Sequence, residues 1–134
     1  WIGIKNQPTT LNGTITTTST VQKVKDSYAF TSGLYFDDEK FKQGFDNIIK
    51  RAKYYRFGGD CYMYGMLASG LIDIVIEDTL KVYDYMALIP VIEGAGGVVS
   101  DNNNKAITLE SDGSFVATSN PTLHKEVAEL LKSN

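Results

Sequence analysis

The fold of this chain is decided by residues 54–101, which read YYRFGGDCYMYGMLASGLIDIVIEDTLKVYDYMALIPVIEGAGGVVSD. Four acidic residues, Asp60, Asp73, Glu77 and Asp84, interrupt runs that otherwise have the composition of buried strand and buried helix. A carboxylate at the edge of an apolar element loses hydration unless a cation, a proton or a hydrogen-bond donor compensates for it. Several acids within one compact segment therefore indicate a place where a metal ion or a polyhydroxylated substrate binds.

The first part of this segment predicts a strand, a turn and a buried helix. Residues 54–57 have the composition of a strand, and Gly58-Gly59 turns the chain. Asp60 is a candidate N-cap for a helix over residues 61–69, because a carboxylate accepts hydrogen bonds from the free N–H groups of the first turn. This helix is apolar on nearly every side, which predicts burial, and Gly70 is a suitable residue to end it.

The second part predicts a buried strand followed by a helix. Residues 72–76 are continuously apolar, which is typical of a strand that is covered on both faces. Residues 85–92 follow as a helix, in which Pro90 costs about 3 kcal/mol if it lies in the interior, so we expect a kink. The glycine-rich residues 94–97 follow a helix and precede a strand. That order is the reverse of a dinucleotide-binding loop and predicts a helix stop.

Two amphipathic helices lie outside this segment. Asp37 and Asp38 supply negative charge to the first turn of one helix, and Lys50-Arg51 complement its C-terminus. Asn120-Pro121 begins the other. The expected core-facing residues are Phe41, Phe45, Ile48 and Ile49 in the first helix and Leu123, Val127, Leu130 and Leu131 in the last.

Short strands complete the pattern. Residues 1–4 and 11–16 are strand-like, with the turn pair Asn12-Gly13 inside the second run, and residues 14–20 suit either an edge strand or an ordered loop. Residues 27–32, 97–100 and 114–119 are further strand candidates. Strands that alternate with helices predict an α/β domain, in which helices cover both faces of a sheet.

Composition limits the class of protein. A length of 134 residues suits one domain, and the net charge of −3 with scattered Lys and Arg argues against a nucleic-acid surface. The sequence contains no apolar run of about 18 residues, so we expect no membrane-spanning helix. The single cysteine, Cys61, excludes an internal disulfide and fits a reducing compartment, so we expect a cytoplasmic protein. The chain opens on Trp1-Ile2-Gly3-Ile4 without an initiator Met or a signal peptide, and we expect it to begin in mid-fold.

Residues 54–101 resemble the C-terminal signature of the inositol monophosphatase-like, Mg²⁺-dependent phosphomonoesterases. That signature contains a glycine turn, a strand ending in Glu, an aromatic-Asp-x-x-Ala helix and Glu-Ala-Gly-Gly. The counterparts here are Gly58-Gly59-Asp60, Glu77, Tyr83-Asp84-Tyr85-Met86-Ala87 and Glu93-Gly94-Ala95-Gly96-Gly97. Tyr83 replaces the usual Trp, and Asp60-Cys61 follows the glycine pair. The stretches GGDCYMY and LKVYDYMALIPVIEGAGG together look most like the histidinol-phosphatase branch of the family. The resemblance implies a layered α/β domain with a central mixed β-sheet flanked by helices.

The resemblance also implies roles for three acids. Asp84 matches the Asp that ligates a metal, and Mg²⁺ prefers such oxygen ligands, although an N-cap role alone would also explain an acid at this position. Glu77 matches the Glu that accepts hydrogen bonds from substrate hydroxyls, against the alternative of a solvated strand end. Asp60 stands where many relatives have a small neutral residue. A carboxylate buried beside the substrate would pair with the cationic part of histidinol, although Asp60 could be an ordinary N-cap.

Three further features bear on the site: the glycine pair, the single histidine and the single cysteine. Gly58 and Gly59 allow close backbone approach to hydroxyl or phosphate oxygens, so we predict that they belong to the substrate-binding residues. His124, the only histidine, has no recognisable nucleophile partner, and we expect it at the surface. Cys61 lies beside Asp60 and before an apolar helix, and we expect a buried packing thiol.

Two functions remain open. In the first, residues 1–134 are a single domain, the C-terminal substrate-recognising half of a phosphatase of histidine biosynthesis. It would act as a homodimer on L-histidinol phosphate or, alternatively, on an inositol, sugar or nucleotide phosphate. The family's Glu-Glu pair and Asp-Pro-x-Asp-Gly-Thr motif are absent here, so no catalytic residue is assigned to this chain. In the second, the chain is a non-catalytic α/β binding or assembly module.

Overall fold

A computed structural model gives the structure of residues 1–132, which form seven strands and five α-helices. The strands are β1 (Thr10–Leu11), β2 (Thr14–Ile15), β3 (Tyr28–Thr31), β4 (Tyr54–Phe57), β5 (Ile74–Glu77), β6 (Val98–Ser100) and β7 (Phe115–Thr118). The helices are α1 (Glu39–Arg51), α2 (Tyr62–Ala68), α3 (Val82–Tyr85), α4 (Leu88–Gly94) and α5 (Pro121–Lys132). None of these helices is long and apolar enough to cross a membrane.

Five strands form one mixed sheet in the order β4-β3-β5-β7-β6. Strand β3 pairs in parallel with both β4 and β5, whereas β7 pairs antiparallel with β5 and β6. The predicted α/β class with a central mixed sheet is therefore confirmed. The parallel pairs place the carboxyl ends of β3, β4 and β5 at the same edge of the sheet.

Helices cover both faces of this sheet. On one face α1 and α5 pack against each other, and they approach closely at Gly44, where an added Cβ would lie 2.7 Å from the Cα of Leu131. On the other face α2 packs against α4. Every residue of β5 is buried, as its continuous apolar run predicted. All four residues of the predicted stripe of α5 are buried as well.

The N-terminal residues form a small hairpin and an ordered loop. Asn12 and Gly13 are the two turn residues between β1 and β2, and both have positive φ (50° and 82°), as a tight hairpin requires. Of residues 1–4, Ile2 alone makes a strand-type bridge, with Thr10. After β2 the threonine-rich run is a loop, so the edge-strand alternative is wrong for residues 16–20.

The predicted helix over residues 85–92 is in fact two helices. Met86 and Ala87 form a turn between α3 and α4. Pro90 is the third residue of α4, where a backbone N–H would have no partner inside the helix, so its missing donor costs little. The expected kink is therefore a break, and it lies before the proline.

The surface position predicted for His124 is wrong. This side chain is buried (6% exposed) between two strand hydroxyls. Its Nδ1 lies 2.9 Å from Oγ1 of Thr118, and its Nε2 lies 3.0 Å from Oγ of Ser100. Burial lowers the pKa of the imidazole, which favours the neutral ring. His124 therefore joins α5 to β6 and β7.

Candidate active site

A cavity of about 620 Å³ opens where the chain leaves β3 and β5. Thr31 ends β3 and Glu77 ends β5, and both residues line the cavity. The carboxyl ends of parallel strands are the usual place for a ligand in an open α/β sheet. The other lining residues come from the loops after these strands and from the starts of α2 and of the α3–α4 pair: Ser32, Gly33, Tyr35, Asp60, Cys61, Tyr64, Asp78, Thr79, Leu80, Tyr83, Asp84, Ala87 and Leu88.

All charged side chains that line the cavity are acidic. Its lining contains four carboxylates, those of Asp60, Glu77, Asp78 and Asp84, and no Lys, Arg or His. The three acids predicted from the sequence as site residues thus lie around one space, together with a fourth that was not predicted. Such a lining attracts cations, and it repels a phosphate dianion unless a cation binds as well.

Glu77 is held by hydrogen bonds on both carboxylate oxygens. Oε1 accepts from the backbone N–H of Ser32 at 3.2 Å, and Oε2 accepts from the hydroxyl of Tyr64. Glu77 is 6% exposed, so the alternative of a solvated strand end is wrong. Burial raises the pKa of Tyr64 well above its usual value, and the charge of Glu77 adds to this rise. Tyr64 therefore stays protonated and donates to Glu77 across the physiological pH range.

Asp84 stabilises the start of a helix and also faces the cavity, and its role as a metal ligand stays a prediction. Its Oδ2 accepts from the backbone N–H of Lys81 at 2.8 Å, which stabilises the start of α3. The side chain is nevertheless exposed and lines the cavity. The charge of Asp84 also contributes to the raised pKa of Tyr64, and Tyr64 and Glu77 line the same cavity. One carboxylate oxygen thus caps the helix while the group still faces the cavity.

Asp60 does not cap α2, although it lines the cavity. Cys61 occupies the N-cap position, and no side chain there accepts a hydrogen bond from the helix. The backbone explains this: Gly58, Gly59 and Asp60 all have positive φ (91°, 124° and 45°), whereas an N-cap residue has an extended backbone. Asp60 is also exposed, which corrects the expectation of a buried carboxylate.

The glycine pair shapes this turn without lining the cavity. Gly58 donates its N–H to the carbonyl of Thr31 at 2.9 Å, which extends the β3–β4 pairing by one bond. A Cβ on Gly59 would lie 2.7 Å from Cγ of Met63. The pair therefore positions Asp60, and its contact with a substrate stays a prediction. Cys61 is exposed and lines the cavity, so the expected buried thiol is wrong.

Asp78, Tyr35 and Tyr64 line the cavity but were not predicted from the sequence. Asp78 follows Glu77 directly, and an acid pair at the end of a buried strand was a visible signal for it. Tyr64 lies in an apolar helix, where nothing in the pattern distinguishes a tyrosine that reaches a carboxylate from one that only packs. Tyr35 lies in a loop, and its position depends on hydrogen bonds that the sequence does not reveal.

The carboxylate oxygens around the cavity suit a hard cation, but they do not form a complete metal-binding site. Carboxylate oxygens are the ligands that Mg²⁺ prefers, and Asp84 is exposed enough to reach one. Within residues 1–132, however, no three His, Cys, Asp or Glu side chains are grouped so that they could hold a metal ion. The described residues therefore provide only part of the ligand set that a Mg²⁺ ion needs.

Comparison with known sequences identifies relatives over most of the chain. The sequence profile of the inositol monophosphatase family matches residues 1–134. The bifunctional phosphatase IMPL2 of Arabidopsis thaliana, a chloroplastic protein, is 40% identical over 119 residues, which are 89% of this chain and 34% of that protein. A histidinol-phosphatase of Chlorobaculum parvum is 29% identical over 84 residues, which are 63% of this chain and 32% of that protein.

Comparison with solved structures supports the same relationship. An inositol monophosphatase from Zymomonas mobilis superposes with a TM-score of 0.94 at 32% identity, over 99% of this chain and 53% of that one. An inositol monophosphatase from Anabaena shares the fold, with a TM-score of 0.80 at 19% identity, over 96% of this chain and 52% of that one. The chain thus spans about a third of the curated relatives and about half of the solved ones.

Proposed function

The chain belongs to the inositol monophosphatase family, and we propose that it forms the C-terminal, substrate-recognising half of a Mg²⁺-dependent phosphomonoesterase. The observation that carries this proposal is the cavity that brings Asp60, Glu77 and Asp84 together with no basic residue in its lining. Because the chain spans only part of its relatives, the activity, the substrate and the partners of the whole protein all belong to the proposal.

The need for a metal follows from the charge of the cavity. A phosphate monoester carries up to two negative charges, and four carboxylates around it oppose binding unless divalent cations lie between them. Asp84 is the residue of this chain that would ligate Mg²⁺. When bound, Mg²⁺ supplies electrostatic stabilisation of the phosphoryl oxygens and a more acidic water. The other ligands would come from residues outside this chain.

The chain's own residues would bind and orient the alcohol part of the ester. Glu77 can accept a substrate hydroxyl, because each carboxylate oxygen keeps a free lone pair beside its present bond to Ser32 or Tyr64. Those two bonds fix the rotamer of Glu77 before a substrate arrives. Gly58 and Gly59 are proposed to bring backbone close to the substrate beside α2. Hydrolysis would break the phosphorus–oxygen ester bond and release the alcohol and phosphate.

We propose L-histidinol phosphate as the substrate. Asp60 and Asp78 add negative charge to the lining of the cavity, and this charge favours an alcohol that carries an ammonium or imidazolium group. The relative from Chlorobaculum parvum, described as a histidinol-phosphatase, supports this choice. An inositol phosphate is the second candidate, because the similar Zymomonas structure is an inositol monophosphatase. A cytoplasmic homodimer is part of the same proposal, and light scattering would test the oligomeric state.

The decisive experiment compares two esters on the full-length natural protein that contains these residues. With Mg²⁺ we expect kcat/KM for L-histidinol phosphate to exceed that for inositol 1-phosphate by about tenfold or more. Chelation should abolish both activities, and added Mg²⁺ should restore them. Residues 1–134 alone should give no turnover, since one carboxylate ligand leaves Mg²⁺ mostly hydrated and weakly bound. Absence of turnover with every phosphomonoester would instead support the non-catalytic binding module.

A further inference from the structure

Two exposed tyrosines are among the residues that line the cavity. Tyr35 is 81% exposed and Tyr83 is 78% exposed, yet both line the cavity. Tyr35 belongs to the loop between β3 and α1, whereas Tyr83 belongs to α3. Because both rings are exposed, packing in the core does not account for them. Their place at the cavity points to a role in ligand recognition.

The loop that carries Tyr35 is fixed by the acids of the cavity. The backbone N–H of Ser32 donates to Glu77, and the backbone N–H of Asp37 donates to Oδ2 of Asp78 at 2.8 Å. The loop is thus tied on both sides of Tyr35 to two adjacent carboxylates at the end of β5. A ring that is held in place before the ligand arrives loses less conformational entropy on binding.

Gly33 gives the Tyr35 ring its position. A Cβ on Gly33 would lie 2.9 Å from Cε2 and 3.0 Å from Cδ2 of Tyr35, so the ring lies against the bare backbone of the glycine. The hydroxyl of Thr31 donates to the carbonyl of Gly33 at 3.0 Å and fixes the same turn. An alanine at this position would push the ring away while leaving its chemistry intact.

Ring faces and carboxylates favour the same kind of ligand. The face of a tyrosine ring carries partial negative charge and attracts a cation placed over it. Asp60 and Asp78 line the same cavity. We propose that Tyr35 and Tyr83 form an aromatic clamp that selects phosphate esters whose alcohol part carries a positive charge. This inference rests on the function proposed above and assigns substrate choice to Tyr35 and Tyr83 in addition to Asp60.

The test measures substrate choice in four variants of the full-length protein. The readout is the ratio of kcat/KM for L-histidinol phosphate to that for inositol 1-phosphate. We expect Tyr35→Ala to lower this ratio by about 3- to 30-fold, the range that one cation–aromatic contact accounts for. Tyr35→Phe keeps the ring and should keep the ratio, and Gly33→Ala should lower it partly. Tyr54→Ala, an exposed tyrosine outside the cavity lining, is the matched control and should leave the ratio unchanged.

Equal losses on both esters in Tyr35→Ala, or a loss in Tyr35→Phe as large as that in Tyr35→Ala, would overturn the clamp. Calorimetry with L-histidinol and with inositol, which needs no hydrolysis, separates this inference from the proposed function. If the unmodified protein binds L-histidinol, and Tyr35→Ala weakens that binding, the clamp stands even where the ester is not hydrolysed. If the unmodified protein hydrolyses L-histidinol phosphate, but Tyr35→Ala binds L-histidinol equally well, the function stands and the clamp fails.

Discussion

Asp73 and Glu77 are two buried acids on either side of the same three apolar residues, and they differ in what surrounds them. Asp73 precedes β5 and is 5% exposed. Its carboxylate accepts from the backbone N–H of Tyr28 at 2.8 Å and from the hydroxyl of Ser19. Glu77 ends β5, is 6% exposed and also accepts one backbone and one hydroxyl donor. Only Glu77 lines the cavity.

The difference shows that burial and hydrogen bonding do not by themselves mark a functional acid. Both carboxylates satisfy the requirement that a buried charge be hydrogen-bonded. What separates them is the end of the strand: Asp73 lies at the amino end, where the N-terminal loop closes over it, and Glu77 lies at the carboxyl end, where the loops leave a space. We therefore expect Asp73 to act on stability and Glu77 to act on activity.

The largest effect should come from removing the Asp73 carboxylate. Asp73→Ala leaves the Tyr28 N–H and the Ser19 hydroxyl without their acceptor, which should lower the free energy of unfolding by about 3 kcal/mol. Asp73→Asn keeps one acceptor oxygen and should recover part of this loss. Urea unfolding measures both variants. A changed Mg²⁺ requirement in the folded fraction, with stability unaltered, would make Asp73 a functional residue and break the comparison.

The next effect concerns Glu77→Gln, which keeps the shape of the side chain and removes its charge. We expect kcat/KM to fall by about 30-fold, equivalent to about 2 kcal/mol, because the substrate hydroxyl loses a charged acceptor. Tyr64→Phe is the control, since it removes one donor to Glu77 and leaves the carboxylate. If Glu77→Gln lowered stability alone and the folded protein kept its kcat/KM, Glu77 would be a second structural acid like Asp73.

Asp84→Asn should raise the Mg²⁺ concentration needed for half-maximal activity by about tenfold, because the amide keeps an acceptor for the Lys81 N–H but loses the charge that attracts the ion. The matched control is Asp38→Asn, because Asp38 caps α1 through the N–H groups of Lys40 and Phe41. It should change stability only. The same metal response in both variants would reduce Asp84 to a helix cap.

The smallest effect is expected for Asp60→Asn. An exposed carboxylate interacts with a cationic substrate through solvent, so we expect about 1 kcal/mol of discrimination, or about fivefold, between L-histidinol phosphate and inositol 1-phosphate. Had Asp60 been buried, the expected loss would have been about 2–5 kcal/mol. Parallel kinetics at low and high salt provide the measurement, and the difference should shrink at high salt. Equal losses on the two esters would remove Asp60 from substrate choice.

The sequence predicted those parts of the molecule whose structure depends on local pattern. The stripe of α5 and the apolar run of β5 identify their elements because each buries a periodic or continuous set of side chains. The break before α4 was missed, because Met86 and Ala87 are both good helix formers.

The failures at His124 and Asp60 have a different origin. His124 was placed at the surface because the sequence shows no nucleophile partner for it, although it lies three residues before Val127 and seven before Leu131 of the buried stripe. Its partners Ser100 and Thr118 come from two strands that only the sheet brings together. Asp60 was a candidate cap because its residue type suits one, but its φ of 45° is not the extended backbone of an N-cap residue. Resemblance to the family indicated Asp60, Glu77 and Asp84, which line one cavity, but it carried no information on which of them are exposed.

The threonine-rich loop bears on how the chain folds as it is synthesised. The hydroxyl of Thr16 donates to the carbonyl of Ala68 at the end of α2, and that of Thr18 donates to the carbonyl of Ser119, which is 101 positions later. These partners leave the ribosome long after the loop does, and contacts of such long range form late in folding. Until then the loop is an unpaired segment, and its hydroxyl-rich composition limits the apolar surface that it offers to other nascent chains.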